Sequence, residues 1–360
     1  MTLFSKIILG ALVIILLLCV YIIITAYFFP FQFPKPTGQF CVRSEIHEVK
    51  NNSMLDELKI QLWYPETLRN TYPVILYSFG SGGSLVDNRS LCEELASKGY
   101  IVVGIGHNNE AMGKIKEDFY KTKNIKNIEY KEKRELTNLK LEYRVAEAQS
   151  VLDYLEVLNV PTSNNKFFGK LDLQKIGYVG HSFGGSIAVE VCRRDIRCKA
   201  TIIIDGPCIG KNATVPFQKP IMYMVGEYEK WMRSLPDKDM IKYAGTKEIF
   251  QEGLKDFMPA FNTLANAIGK DVHKIKINGA GHMSFTNFAI TQYASPWQKF
   301  KTKNLFPSSA SGVGNIHGYR AHEIMNAYVC AFFDRYLKSE KVELLDEHKS
   351  KYHEVEIQKW

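Results

Sequence analysis

Apolar residues fall along this chain in three textures. The first is an unbroken uncharged run over 7–29, long enough as one helix to cross a hydrocarbon core. The second is a series of short runs bounded by glycine, proline or charge. Residues 58–65 alternate and read as a strand ending at its proline; 73–78, 100–105, 176–179, 200–204, 221–225 and 272–277 read as buried strands. The third is helical spacing. It predicts helices over 91–98, closed by Gly99, over 144–158 with Val151, Leu152, Leu155 and Leu158 inward, from 186 onward, and over 319–337. The charged tract 108–140 reads as helical or irregular, and the mixed-charge tail after Glu340 is expected to fray. Within 228–270, Phe250, Leu254, Phe257, Met258, Phe261 and Leu264 recur at helical spacing, as a substrate lid or, with more weight, as a packing helix. Strands alternating with helices predict an α/β fold, a mostly parallel sheet covered on both faces.

Composition narrows this picture. Of 360 residues, 46% are hydrophobic and 23% charged, which describes a folded chain with a large core. The net charge of +8 is spread among acidic residues, notably over 114–144, so it reads as solvated helix surface rather than a nucleic-acid patch. Affinity for anionic lipid headgroups stays open. The seven cysteines include no C-x-x-C pair, so no metal cage is expected. Cys192 and Cys198 can close a small loop in an oxidising compartment, although buried free thiols are the plainer reading. The opening run lacks a small-x-small cleavage site and ends in Tyr27-Phe28-Phe29, an aromatic belt before the proline-punctuated linker 30–36. An uncleaved anchor is expected, with a cleaved signal as the alternative. Lys6 and the amino terminus compete with Lys35 and Arg43 in setting orientation, and chemistry outside the cytoplasm is favoured.

Candidate chemistry centres on Gly180-His181-Ser182-Phe183-Gly184, a G-x-S-x-G between a β-branched run and a helix start. That context makes a nucleophile elbow, with glycines where strand and helix must approach. The Phe183 N–H then points toward an oxyanion formed at Ser182. A second oxyanion donor is expected from the Gly-rich loop Phe79-Gly80-Ser81-Gly82-Gly83, and the Ser81 N–H is nominated. Of nine histidines, His282 follows the last predicted strand in a Gly-flexible loop and is the expected base. His181 should point away, His273 lies within a strand, and His107 reads equally as a pocket or a surface residue. The orienting acid has two sources. Asp205 follows strand 200–204, turned at once by Gly206-Pro207, whereas Glu227 or Glu229 follows the next strand. Asp205 is favoured, and the order Ser182, Asp205, His282 is that of α/β-hydrolases.

On these residues, together with Leu62-Trp63-Tyr64-Pro65, Gly185 and Met283-Ser284-Phe285-Thr286 after His282, the chain resembles the plasma-type platelet-activating factor acetylhydrolases, or group VII phospholipases A2, and their bacterial relatives. The likeness runs from about Gly38 to Leu337. The family usually has His-Gly where this chain has Phe79-Gly80. The resemblance implies the α/β-hydrolase fold and cofactor- and metal-independent hydrolysis of an ester, the sn-2 acyl group of phospholipids with short or oxidised chains. It also implies Asp205 as the acid. Dienelactone hydrolases share the fold but use cysteine at the elbow. The alternatives are a general carboxylesterase or lipase on small esters and a silent hydrolase-fold binding protein, although no triad member is missing. The chain divides into an anchor and linker, 1–36, a catalytic domain, 37–340, and a charged tail, 341–360.

Overall fold

The structure, a computed structural model, describes residues 3–27, 32–49, 58–123, 129–161, 165–210, 217–255, 271–293, 312–346 and 350–359. Helix α1, Leu3–Tyr27, carries a stretch, Phe4–Ile24, long and apolar enough to cross a membrane or to be a signal sequence, and none of it is buried against the rest of the chain.

The strands are β1 Val42–Val49, β2 Leu58–Pro65, β3 Tyr72–Ser78, β4 Ile101–Gly106, β5 Leu171–His181, β6 Cys198–Ile204, β7 Ile221–Val225, β8 Val272–Ile277 and β9 Val355–Lys359. They form one sheet in the order β1-β2-β4-β3-β5-β6-β7-β8-β9. Strands β4, β3, β5, β6, β7 and β8 run parallel, while β1, β2 and β9 are antiparallel to their neighbours. The parallel strands are apolar runs because helices cover both faces. On one face lie α4, Tyr130–Leu158, and α5, Phe183–Arg194, meeting Val74, Leu76, Tyr178 and Ile203 from the sheet. On the other lie α2, Arg89–Ser97, and the closing helix Gly318–Lys338, meeting Ile75, Val179, Ile202 and Met224. Val151, Leu152 and Leu155 of α4 are fully buried, each worth about 1.5–3 kcal/mol of transfer free energy.

The edges hold the differences from expectation. Strand β1, unforeseen, alternates exposed and half-buried positions because only one face of an edge strand meets the core. The tail does not fray. Val355 and Ile357 pack on the core and Glu356 meets Lys276 at 3.2 Å as β9 pairs with β8, while Leu345 and Tyr352 are buried. Cys192 and Cys198, for which free thiols are the plainer reading and a closed small loop the alternative, form a disulfide between the end of α5 and the start of β6. The tract 108–140 resolves into a helix over Asn109–Lys123, here α3, and the first turns of α4. Within 228–270, Phe250 and Leu254 join a satellite cluster with Met240, Ile249 and Tyr130 of α4. Phe257, Met258, Phe261 and Leu264 lie outside the described residues.

Candidate active site

Strand β5 ends at His181 and α5 begins at Phe183, so Ser182 alone makes the turn. Its backbone sits at φ 55°, ψ −126°, a conformation that costs a non-glycine residue about 1–3 kcal/mol and persists only where its surroundings hold it. Here the Ser182 N–H donates to the Ile204 carbonyl (2.8 Å) and the Ser182 carbonyl accepts from the Gly185 N–H (2.9 Å). A Cβ on Gly180 would overlap the Gly184 backbone, and one on Gly184 would overlap the Ser78 carbonyl. The motif's glycines are therefore dictated by the closeness of strand and helix.

Asp205 directly follows β6 and also has positive φ, 47°. It is buried, its N–H donates to the Met224 carbonyl (2.7 Å), and its Oδ1 accepts from the Gly226 N–H (2.9 Å). Its Oδ2 accepts from His282 Nδ1 at 2.7 Å. A carboxylate only accepts, so this bond places the imidazole proton on Nδ1 and leaves Nε2 with a lone pair. His282 lies in the 3₁₀ turn His282–Phe285, which is pinned where the Gly281 N–H donates to Ser284 Oγ (3.0 Å), the Met283 N–H to the Gly312 carbonyl (2.8 Å), and buried His322 Nε2 to the Thr286 carbonyl (2.8 Å).

His181 does not simply point away. Its Nε2 donates to the His282 carbonyl at 3.0 Å, and the two rings lie 4.6 Å apart at 37°. Burial, then the neighbouring His282, push its pKa well below the ordinary histidine value, so it stays neutral beside the His282 ring.

The Gly-rich loop faces the elbow. A Cβ on Gly80 would lie 2.9 Å from Ser182 Cβ and 3.3 Å from its Oγ, so the loop backbone rests against the serine. The Gly83 N–H donates to the Gly80 carbonyl (3.0 Å), closing a turn in which Gly82 takes φ 75°. Ser81 is at its exposed apex, and Phe183 is the first residue of α5.

A polar network, buried at the loop's start and exposed at its end, holds both ends of this loop. At its start, Tyr178 OH and Ser78 Oγ are 2.7 Å apart, Ser78 Oγ is 2.7 Å from His107 Nε2, and His107 Nδ1 donates to Glu147 Oε2 at 2.6 Å. Arg144 Nη1 also reaches Glu147 Oε2 (3.0 Å), and Arg144 Nη2 donates to Asn109 Oδ1 (2.8 Å). At the loop's end, Asn109 Nδ2 donates to the Gly83 carbonyl (3.1 Å). Burial lowers the His107 pKa despite Glu147, while Glu147 is held below its ordinary range because His107 and Arg144 outweigh its own burial. Phe79, standing where the family usually has histidine, packs edge-on against His107 at 5.4 Å.

Ser182, Asp205, His282 and the Gly80 loop thus all follow the carboxyl ends of parallel strands, β5, β6, β8 and β3, where such sheets gather function. Glu227 does not join them: its N–H donates to the Ala280 carbonyl (2.6 Å) and its carboxylate lies 4.0 Å from Lys230 Nζ. The Glu229 side chain is outside the described residues. His273 bonds Tyr336 OH at 2.8 Å behind the sheet. The network around Glu147 was missed, and its signal was Arg144 with Glu147 at i, i+3 beside the apolar stripe of α4.

Three comparisons bear on this geometry. Residues 41–352 match the family described as platelet-activating factor acetylhydrolase, isoform II. Among curated proteins, the chain is 23% identical over 296 residues to a platelet-activating factor acetylhydrolase of Cavia porcellus, covering 75% of this chain and 58% of that one. It is 23% identical over 296 residues to that of Gallus gallus, covering 74% and 62%. The chain thus spans about three-fifths of the length of these relatives. A ferulic acid esterase structure from Streptomyces cinnamoneus superposes with a TM-score of 0.63 at 20% identity, covering 90% of this chain and 98% of that one, a likeness of fold, the α/β-hydrolase fold. The family match begins one residue before β1 and passes beyond the closing helix, taking in Ser182, Asp205 and His282: the chain belongs to the platelet-activating factor acetylhydrolase family.

Proposed function

We propose that this chain is a serine ester hydrolase in which Ser182 is the nucleophile, His282 the base and Asp205 the orienting acid. The observation that carries this reading is the 2.7 Å bond from His282 Nδ1 to buried Asp205, set beside a serine on a strained, partly exposed turn. Nε2 of His282 takes the Ser182 hydroxyl proton as Oγ bonds to the ester carbonyl carbon. The carbonyl oxygen becomes an oxyanion, met by the N–H groups of Phe183 and Ser81. Collapse breaks the bond to the alcohol, which leaves with the His282 proton. Water then gives a proton to the same Nε2 as its oxygen bonds to the acyl carbon; the bond to Oγ breaks, Oγ takes that proton back, and the carboxylic acid leaves. A neutral His181 adds no second positive charge beside the imidazolium.

The substrate we propose is the sn-2 ester of phospholipids with short or oxidised acyl chains, supported by family membership. Helix α1 acts as a retained single-pass anchor, with the catalytic domain outside the cytoplasm, a placement supported by the Cys192–Cys198 disulfide. The test is a p-nitrophenyl ester series from acetate to palmitate, with and without phospholipid vesicles. Wild type should prefer short chains and Ser182→Ala should be inactive at every length. A preference for long chains, indifferent to vesicles, would favour a general lipase; activity in Ser182→Ala would overturn the assignment.

A further inference from the structure

The linker that follows α1 is fastened along the body of the protein, and it runs toward the site. Gly38 and Phe40 bond the far end of α2: the Gly38 N–H donates to Ser97 Oγ (3.0 Å) and the Phe40 N–H to the Ser97 carbonyl (3.1 Å). One step back toward the anchor, the Thr37 N–H donates to Glu94 Oε2 (2.7 Å). Phe33 reaches the first turn of α2, where the Arg89 guanidinium lies 5.4 Å from its ring centroid. The segment therefore travels the length of α2 from its C-terminal to its N-terminal end, and that end is the one at the active-site edge of the sheet.

Phe33 there shares a cavity of ≈ 40 Å³ with Val86, Asp87, Met283 and Phe288. Phe33 forms one wall of this space, so the linker sits directly against residues that flank the site. Met283 is the residue after His282, and Val86 and Asp87 follow the Gly-rich loop. The Gln32 carbonyl accepts from Tyr319 OH at 2.9 Å. Tyr319 belongs to an aromatic group with His317 and half-exposed Tyr293, whose rings stack at 4.3 Å. Aromatic rings with polar tips are what a membrane–water interface selects.

Chain length limits how far the anchor can be from this point. From the last residue of α1, Tyr27, to Gln32 is five residue steps, at most about 18 Å when fully extended. The headgroup layer takes up roughly 7 Å of that reach on one side of a bilayer. With α1 across the bilayer, Gln32 is thus held within roughly 10 Å of the membrane surface, and the next residue, Phe33, lies beside Met283.

Resting on the anchor and ester-hydrolase readings, we infer that residues 32–38 form a strap that holds the mouth of the site against the bilayer crossed by α1, so that the substrate is a lipid ester resident in that same bilayer. The strap fixes which face meets the membrane; α1 alone would fix only the distance.

The experiment uses full-length protein in vesicles carrying a fluorogenic phospholipid with a long sn-1 chain and a short sn-2 ester. Its partner measurement places the protein in substrate-free vesicles mixed with protein-free substrate vesicles. Hydrolysis within the protein's own vesicle should exceed that between vesicles at least tenfold. A thirty-residue Gly-Ser spacer inserted between Tyr27 and Gln32 should cut this advantage by about an order of magnitude, as effective concentration falls with tether length. Turnover of soluble p-nitrophenyl acetate should not change. Equal rates in the two arrangements, or an advantage that survives the spacer, overturn the strap while leaving the ester-hydrolase reading standing. Release of the protein from membranes by carbonate overturns the strap through its anchor. Loss of the acetate activity in the unmodified chain identifies instead a failure of the hydrolase reading.

Discussion

Among the described residues, two histidine–carboxylate pairs each stand near a serine, and the proposed chemistry assigns reaction to only one of them. In Ser78–His107–Glu147 the bonds are 2.7 and 2.6 Å; in the other, His282 meets Asp205 at 2.7 Å beside Ser182. The histidine–carboxylate distances do not separate them. Ser78 ends an ordinary strand, is fully buried, and has its hydroxyl engaged by both His107 and Tyr178. Ser182 stands on a positive-φ turn, is partly exposed, and faces Gly80. The carboxylates differ as well. Arg144 sits on Glu147, so an imidazolium at His107 would face a carboxylate whose charge is already spent, whereas the second oxygen of Asp205 accepts from the neutral Gly226 N–H. On the proposed reading, access, backbone strain and unspent charge mark out the Ser182 set more than the three residue types do. The Ser78 set lies at the start of the Gly-rich loop that faces Ser182.

The largest effect that can break this comparison is at the two acids. Asp205→Asn leaves His282 without its orienting carboxylate and is expected to lower kcat about a thousandfold with little change in KM. Glu147→Gln is expected to lower kcat by less than about tenfold yet to destabilise the fold by roughly 3 kcal/mol, because Arg144 is left buried without its counter-charge. Steady-state kinetics and urea denaturation of both variants decide it. A larger kcat loss at Glu147 would reverse the roles assigned to the pairs. Glu227→Gln, outside the constellation, should stay within about tenfold of wild type.

Acid stability separates the regions next. His107, His181 and His322 all have pKa values lowered by burial, His322 from 6.5 to about 4. Each binds its proton more readily in the unfolded chain. Their contribution is therefore fully present above about pH 6.5 and is lost as the pH falls toward 4. For His322 alone the loss by pH 4 is about 3 kcal/mol. Urea midpoints at pH 7.5, 6 and 5 should fall steadily, and a flat profile would show that these rings are not held neutral.

The smallest predicted effect sharpens the role of His181 as a positioning residue. His181→Phe removes the donor to the His282 carbonyl and is expected to lower kcat about tenfold at constant KM, with partial recovery in His181→Gln, which keeps a donor. A change in KM alone would point to substrate contact instead.

How far the sequence carried the account varied with the kind of signal. The parallel strands were legible because burial on both faces writes them as short apolar runs; β7 and β8 were placed to the residue. The placement of Ser182, Asp205 and His282 on one sheet edge was legible because Ser182 and Asp205 directly follow strands and His282 lies in the short loop after the last parallel one. Strands β1 and β9 were not, since an edge strand needs only alternate apolar residues and V-R-S-E-I-H-E-V offers few. The His107–Glu147 network was also hidden. Its members come from β3, β4, α4 and β5, and nothing local says that a histidine ending one strand will meet a glutamate forty residues on. The linker's course along α2 had the same character, for Phe33 and Thr37 acquire meaning only through Arg89 and Glu94.

The central claim, that Ser182 and not Ser78 is the nucleophile, is tested most directly by treating the full-length protein with a fluorophosphonate and locating the adduct by mass spectrometry. The account predicts a single adduct on Ser182, retained in Ser78→Ala and absent from folded Ser182→Ala. An adduct on Ser78, or labelling that persists in Ser182→Ala, would contradict it.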